Sequence, residues 1–119
     1  PDADAGLRVR CVRLDDVLPS SVDVIKIDTQ GFDHDVLAGL SKTIAANPAL
    51  VVLTELSLTK LAERGIDVDE VLAGYLARGF GIEALDPWGT PFPLAAADVV
   101  SQCAANGTDE ISLVLRRPR

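Results

Sequence analysis

Several residue types are scarce in this 119-residue chain: methionine is absent, histidine occurs once and cysteine twice. The single histidine, His34, has no serine nucleophile in a strand-to-helix elbow, so no Ser-His-Asp catalytic set can be assembled. Cys11 and Cys103 lie far apart without metal-ligand spacing, and we expect free thiols in a reducing cytoplasm. The lack of methionine fits a piece of a longer protein as well as loss of an initiator before Pro1.

Positive charge and long apolar runs are also in short supply. The formal net charge of −7 argues against a dedicated nucleic-acid binder, which needs a basic surface. No apolar run approaches membrane-spanning length, and the start has no signal-peptide plan. We therefore predict a cytoplasmic protein with neither a nucleic-acid nor a membrane partner. The composition, 48% hydrophobic and 24% charged, is that of a folded core.

Hydrophobic patterning predicts alternating strands and helices. A kinked edge strand at 7–14 and a strand covered on both faces at 22–28 precede a helix at 33–46 and a second buried strand at 49–56. Two helices follow, the second with Asp67 at its start, then a strand–turn–strand unit at 81–94, a helix or loop, and a last apolar strand near 110–118. This alternation predicts a three-layer α/β fold whose sheet is mostly parallel with an antiparallel end.

Two acids follow the predicted strands where those strands end. Asp28 and Glu55 would share the carboxyl edge of a parallel sheet, where ligands bind in open α/β folds. Asp28 is followed by a turn containing Gly31, which lets another group approach closely. Either acid could instead cap the next helix. Residues 33–35, Asp-His-Asp, point in different directions from one helical turn, so we expect no metal site there.

The segments "VRLDDVL", "VDVIKIDTQGFDHDVLAGL" and "PALVVLTEL" resemble the C-terminal half of the FkbM-type methyltransferases, which use S-adenosylmethionine. In that family Leu-Asp-Asp precedes Ile-Lys-Ile-Asp-Val-Glu-Gly-Phe-Glu, a Leu-rich helix and a strand ending in Glu. Residues 25–40 carry most of the specificity, and the likeness continues loosely to the chain end.

The resemblance implies the C-terminal half of a Rossmann-like class I methyltransferase fold, with 22–28 and 49–56 as its fourth and fifth strands. Residues 1–119 would form a single partial domain that lacks the N-terminal cofactor-binding strands. Asp28 would stand at the switch point of the sheet and position or deprotonate an acceptor hydroxyl. The resulting candidates are Asp28 and Glu55 as catalytic residues and Gln30, Gly31, Asp33 and Trp88 as substrate-binding residues. Trp88 has an alternative role, covering the core beneath a hairpin together with Phe92.

Two departures from the family pattern bear on activity. Gln30 replaces a family Glu and so loses a charge, whereas Asp33 replaces a Glu and keeps it. The Gly-rich loop that would hold S-adenosylmethionine has no counterpart, so we expect the chain alone to be inactive. The expected acceptor is a small molecule, a hydroxyl of a sugar or polyketide-like metabolite. The missing strands would leave 22–28 with a bare edge, which predicts self-association, with 7–14 pairing with an edge.

Two other interpretations stay open at the level of sequence. One is a non-catalytic α/β interaction or scaffold module, which Gln30 and the missing loop favour. The other is a fragment of a (β/α) barrel, because "VDVIKID" is similar to a strand of the EAL-type cyclic-dinucleotide phosphodiesterases. The expected "QGY"-like loop of that family does not follow.

Overall fold

The computed structural model describes residues 5–118. Its strands are β1 (Val24–Ile27), β2 (Val51–Ser57), β3 (Gly81–Leu85), β4 (Pro91–Pro93) and β5 (Glu110–Arg116). Its helices are α1 (Asp33–Ala38), α2 (Ser41–Ala46), α3 (Leu58–Glu63), α4 (Val68–Ala77) and α5 (Val99–Ala105), with 3-10 turns at Leu14–Asp16 and Ala96–Asp98. None of the helices in this part of the chain has the length and apolar character that crossing a membrane requires.

The sheet contains five strands in the order β1-β2-β5-β3-β4. Only β1 and β2 pair in parallel, and the other three pairings are antiparallel. The prediction of a mostly parallel sheet was therefore wrong. Two helical crossovers do give β1, β2 and β3 one direction, but β5 inserts between β2 and β3 and runs the opposite way. An open mixed sheet also differs from the closed parallel sheet of the barrel alternative.

The core lies on one face of the sheet. Val52, Leu56, Ile82, Leu113 and Leu115 are buried there. Buried side chains of all five helices belong to the same cluster, namely Leu37, Ile44, Leu61, Val71, Leu72, Tyr75, Val99 and Cys103. The opposite face carries residues that are only half-buried or exposed, such as Leu53 and Lys26, with Val114 as a buried exception. Residues 5–118 thus form two layers instead of the predicted three.

β1 lies at the edge of the sheet and is not covered on both faces as its sequence predicts. Ile27 is buried, but Val24 is 57% exposed and Lys26 is exposed as well. The kinked edge strand predicted at 7–14 was wrong: residues 7–13 have no regular structure and are exposed, and Leu14 begins a 3-10 turn. Residues 7–13 pair with no strand of the described sheet, and an extended segment without a paired neighbour does not form a stable strand.

The predicted helix at 33–46 is two short helices, broken at Gly39 and Leu40. A Cβ at Gly39 would lie 3.1 Å from Cγ of Arg13, and the Gly39 carbonyl accepts a hydrogen bond from the Asp15 amide at 3.0 Å. The break therefore occurs where the incoming chain presses against the helix layer. Other predictions are confirmed: Asp67 caps α4 by accepting from the Asp69 amide, and β3 and β4 form a hairpin.

Asp15, from the "LDD" stretch, caps α2 from outside that helix. Its carboxylate accepts hydrogen bonds from the Lys42 and Thr43 amides, both at 2.9 Å, and from the Thr43 hydroxyl at 2.8 Å. These contacts satisfy amides that the first helical turn leaves unpaired. Desolvation acts to raise the pKa of Asp15, but the hydrogen bonds outweigh it and the pKa is lowered from its ordinary 3.8. This contact ties the entering chain to the helix layer.

We expect replacement Asp15→Asn to lower the free energy of unfolding in a pH-dependent way. Because the folded-state pKa is depressed, the contribution of Asp15 is present above its unfolded pKa of 3.8 and is lost as pH falls through the folded value. Urea unfolding of wild type and variant at several pH values measures this, and the two midpoints should converge in acid. Asp16→Asn, at the exposed neighbouring acid, is the matched control. A difference between wild type and Asp15→Asn that does not shrink in acid would contradict the assignment.

Candidate functional site

Asp28 and Glu55 lie together at the carboxyl edge of the parallel pair. The β1–β2 register ends with Ile27 opposite Thr54, so Asp28 and Glu55 follow as the next neighbours, on the face away from the core. Neither acid caps a helix: the cap of α3 is Ser57, whose hydroxyl accepts from the Lys60 amide. The alternative capping role is therefore not seen for either residue in the described chain.

A third carboxylate, Glu110, approaches Glu55 from the first residue of β5. Glu110 pairs with Ser57 across the sheet, which makes it the diagonal neighbour of Glu55 on the same face. Burial, the hydrogen bond and charge of Glu110, and then those of Asp28 raise the pKa of Glu55 to about 7. Near neutral pH this carboxyl is consequently part protonated and can both donate and accept a proton.

Asp33 is a buried acid that connects the two strand ends of the site through hydrogen bonds. The residue is 3% exposed, and its carboxylate accepts four hydrogen bonds. Two come from the amide and hydroxyl of Thr29, one from the Thr54 hydroxyl at 2.8 Å and one from the Glu55 amide at 3.0 Å. A buried carboxylate is tolerated when donors surround it in this way. Asp33 therefore joins the loop after β1 to the end of β2, and its predicted contact with substrate stays a prediction.

The loop between β1 and α1 has an unusual backbone. Gln30 has φ of 53° and Gly31 has φ of 96°, so two successive residues occupy the left-handed region. A Cβ at Gly31 would lie 2.7 Å from Cβ of Lys60 in α3, which leaves room only for glycine. The turn brings the Gln30 amide group to 3.1 Å from the Asp28 carboxylate, to which it donates a hydrogen bond. Gln30 and Asp28 thus form one exposed polar pair.

Arg64, just after α3, holds this loop from outside. Its guanidinium donates to the Gly31 carbonyl at 2.6 Å and to the Asp35 carboxylate at 2.9 Å. It also lies over the ring of Phe32, 3.8 Å from the ring centre. A planar guanidinium is suited to such simultaneous polar and stacking contacts. The conformation of the loop is thereby fixed from both the β2 side and the α3 side.

The remaining candidates lie at different distances from this centre. Asp28 borders a groove of about 720 Å³ along β1, whereas Trp88 stands on the β3–β4 turn. That turn is at the same edge of the sheet, but β1 and β3 are separated by β2 and β5, about 14 Å across. Trp88 is 90% exposed and so does not cover the core; Phe92 does pack against the core cluster. No group of residues suited to a metal ion occurs within 5–118.

Two residues of this region were missed by sequence reasoning. Glu110 was treated only as the start of an apolar strand, although an acid at the first position of an antiparallel strand meets the carboxyl ends of parallel neighbours. Arg64 follows a short helix and precedes a glycine, which is typical of a solvated helix end. Nothing in its spacing indicates a contact with Gly31, because that contact depends on how α3 folds back.

A sheet of this order, with acids at its carboxyl edge, is consistent with part of an α/β methyltransferase domain. Residues 2–82 match the model of the methyltransferase FkbM domain. This match covers about two thirds of the chain, and the chain belongs to the FkbM methyltransferase family. No curated protein and no solved structure has significant similarity to it.

We expect Asp33→Ala to destabilise the fold by about 3 kcal/mol, because it leaves the buried Thr54 hydroxyl and two backbone amides without their acceptor. Urea denaturation monitored by circular dichroism measures this cost. Asp69→Ala, at an exposed acid in the first turn of α4, is the matched control and should cost less than about 1 kcal/mol. Equal effects of the two substitutions would show that the buried hydrogen bonds of Asp33 do not stabilise the fold.

A second prediction concerns the titration of Glu55. Its carboxyl carbon, followed by NMR, should titrate near pH 7. Glu110→Gln should move the midpoint toward 4.5, because Glu110 is the neighbouring acid that raises the pKa of Glu55 most. Because the folded pKa exceeds the unfolded one, stability should fall as pH rises from about 4.5 to about 7. Glu70→Gln, on exposed α4 surface, should leave the midpoint unchanged. A midpoint near 4.5 in wild type would refute the arrangement.

Proposed function

We propose that this chain supplies the acceptor side of an S-adenosylmethionine-dependent O-methyltransferase, with Asp28 and Glu55 as its catalytic carboxylates. The observation that carries the proposal is their position as adjacent acids on the open face of the sheet, at its carboxyl edge. Membership of the FkbM family supports the reaction class. The small-molecule acceptor is a hydroxyl of a sugar or polyketide-like metabolite, as expected from the family resemblance.

Asp28 is the residue that orients the acceptor and takes its proton. Its carboxylate is exposed, accepts a hydrogen bond from the Gln30 amide and shares one with Glu55, and the remaining lone pairs can accept from a hydroxyl. A hydroxyl bound there donates a hydrogen bond to the carboxylate and leaves a lone pair of its oxygen free for attack, and its proton moves to the carboxylate as charge develops. Gln30 is held beside Asp28 and donates to it, which keeps the carboxylate in one orientation.

Glu55 is the second carboxyl of the pair. With a pKa of about 7 it is divided between its two protonation states at neutral pH, which suits a group that relays a proton from Asp28. Gly31 supports the close approach of an acceptor, since no side chain projects from the turn. Asp33 fixes the geometry of both acids through Thr29 and the Glu55 amide. Trp88 would contact only the far end of an extended acceptor.

The residues at this edge fit the reactive end of S-adenosylmethionine. The sulfonium is a cation, and the local side chains are the carboxylates of Asp28, Glu55 and Glu110. When bound, the cofactor supplies an electrophilic methyl group. A Gly-rich loop that follows a strand, which the family uses for the rest of the cofactor, does not occur in residues 5–118. We therefore propose that the chain needs further strands for activity.

A non-catalytic scaffold module is the second candidate function. Gln30 stands where the family has Glu, and the carboxylate of Asp33 is fully engaged inside the protein. Both features remove charge that an acceptor site would use. The two functions differ in whether Asp28 and Glu55 affect methyl transfer.

Calorimetry with S-adenosylhomocysteine and a methyl-transfer assay test the proposal. We expect no binding by the 119-residue chain alone, and binding and transfer when the same residues are part of a domain that includes cofactor-binding strands. In that domain Asp28→Asn should lower the transfer rate by about 100-fold with little change in cofactor affinity. Glu55→Gln should remove the limb of the pH–rate profile near pH 7.

Asp69→Asn, at an exposed acid in the first turn of α4, is the control for both substitutions and should leave transfer unchanged. If such a domain binds the cofactor but transfers methyl groups equally well with Asp28→Asn, the catalytic assignment is wrong. If it binds no cofactor, the scaffold function is supported instead.

A further inference from the structure

A groove of about 560 Å³ opens at the carboxyl edge of the sheet, between the β3–β4 turn and the segment that leads from α5 into β5. The turn contributes Leu85, Asp86, Pro87 and Gly89, and the other wall consists of Asn106 and residues 110–112. All of these residues lie beyond 2–82, the part of the chain that matches the family model. Family membership therefore does not account for the groove.

The groove adjoins the candidate catalytic acids. In the β2–β5 register Glu55 lies opposite Ser112, and Leu85 follows the last β3–β5 pair as the next neighbour of Ser112. Together with Asp28 these residues form one row across the sheet on its open face. Ser112 is two strand spacings from Asp28, about 10 Å. Glu110, which shares a hydrogen bond with Glu55, lines the same groove.

The β3–β4 turn holds Trp88 at the rim of the groove, between two residues that line it. The Asp86 carboxylate accepts hydrogen bonds from the Trp88 amide at 2.9 Å and the Thr90 amide at 2.8 Å. The Gly89 amide donates to the Asp86 carbonyl at 2.9 Å. The backbone of the turn is therefore fixed, although Trp88 is 90% exposed. An indole in this position offers a flat apolar surface to a ligand at low entropic cost.

Three polar side chains of the groove have hydrogen-bonding capacity that residues 5–118 do not use. Asn106 accepts from Gln102 through its side-chain oxygen at 3.0 Å, and its NH₂ group donates to no described residue. The Ser112 hydroxyl is exposed and has no partner within the described chain. Glu110 keeps lone pairs beyond the one that it shares with Glu55. The groove thus offers a donor, an acceptor and a group that can be either.

This combination fits the chemistry of a sugar ring. A pyranose has a flat C–H face that packs on an indole, and its rim carries hydroxyls that both donate and accept. An unbranched apolar chain would cover the same polar groups without pairing them, which costs affinity. A cationic amine only donates and would leave the Asn106 NH₂ group unpaired.

Resting on the proposed function, we propose that the acceptor is a glycoside with at least two linked sugar rings. The ring with the reacting hydroxyl lies at Asp28. The adjoining ring lies in the groove, with its C–H face on Trp88 and its hydroxyls bonded to Asn106, Glu110 and Ser112. Two linked pyranose rings extend over the distance of about 10 Å between Asp28 and Ser112. Trp88 and Asn106 therefore select the acceptor and take no part in methyl transfer.

Tryptophan fluorescence tests sugar binding on the 119-residue chain itself, because Trp88 is its one tryptophan. The probes are the disaccharides cellobiose, maltose and lactose. We expect a saturable blue shift with at least one of them, because the indole loses water when a ring stacks on it. Hexanediol, a flexible chain with a hydroxyl at each end, should give no saturable change. N-acetyltryptophanamide is the control for a solvent effect of the sugars. No saturable shift with any of the disaccharides overturns the proposal.

Substitutions in the lining test where the sugar binds. Asn106→Ala and Ser112→Ala should each weaken binding of the disaccharide about fivefold, because a hydroxyl of the sugar loses its partner. Ser101→Ala, at an exposed serine of α5 outside the groove lining, is the matched control and should leave binding unchanged. Unchanged binding by both groove variants would refute the assignment.

Methyl-transfer kinetics test the specificity role in a domain that includes cofactor-binding strands. Trp88→Ala should raise the KM for a disaccharide acceptor about tenfold, with a smaller change in kcat. A methyl monosaccharide acceptor should be affected less, because it does not reach the groove. Equal increases of KM for the two acceptors would contradict a second sugar position.

The sugar proposal and the catalytic proposal fail separately. If disaccharides bind the 119-residue chain but Asp28→Asn leaves methyl transfer unchanged, the catalytic assignment is wrong and the groove remains a sugar site. If Asp28→Asn lowers transfer but no disaccharide shifts the fluorescence of Trp88, the sugar site is wrong and the catalytic assignment remains.

Discussion

The hydrogen bonding of the buried Asp33 carboxylate is the constraint on which the site depends. This group joins three parts of the chain, the loop after β1, the start of α1 and the end of β2. Two of its four donors, the amide and hydroxyl of Thr29, follow β1. The other two, the Thr54 hydroxyl and the Glu55 amide, belong to β2. Because the Thr29 and Thr54 hydroxyls both donate to the Asp33 carboxylate, the residues next to them, Asp28 and Glu55, are turned to the open face. The two candidate catalytic acids are neighbours for that reason.

Acidic residues thus have two kinds of role in this chain, and the environment of each carboxyl group decides which. Asp15 and Asp33 have their oxygens occupied by protein donors and act as structural acceptors. Asp28 and Glu55 lie where few donors reach them, so their charge is available to a ligand. Glu55 is further affected by two other carboxylates, which oppose its ionisation. Local sequence does not separate these roles, because each acid follows or begins an element in a similar way.

The sequence was informative wherever a property depends on a short segment. Periodicity located β2, α4 and the β3–β4 hairpin, and the family resemblance of residues 25–40 identified the methyltransferase family. Properties that depend on distant segments were not predictable. The insertion of β5 beside β2 makes the sheet mostly antiparallel, and alternation along the chain contains no sign of it. The run "VDVIKID" is apolar enough for a strand between two layers, yet within 5–118 helices cover only one of its faces.

The site shows the same division. The acids at the strand ends were found because a strand end is a local feature, and the order of two parallel strands brings such ends together. Glu110 and Arg64 were missed because each reaches the site through a long-range contact. Asp15 was seen as part of a family motif, but its function as an external cap of α2 depends on chain segments that meet only in the folded protein.

The position of β5 has a consequence for how the chain acquires its fold. β5 comes last among the described strands along the chain, yet it fills the middle of the sheet, between β2 and β3. Until it arrives, β2 and β3 have no common neighbour, and the nascent chain exposes two apolar strand edges. Topologies governed by such distant pairings fold slowly. The sheet is therefore expected to close at a late step of folding, once β5 has paired with both of its neighbours.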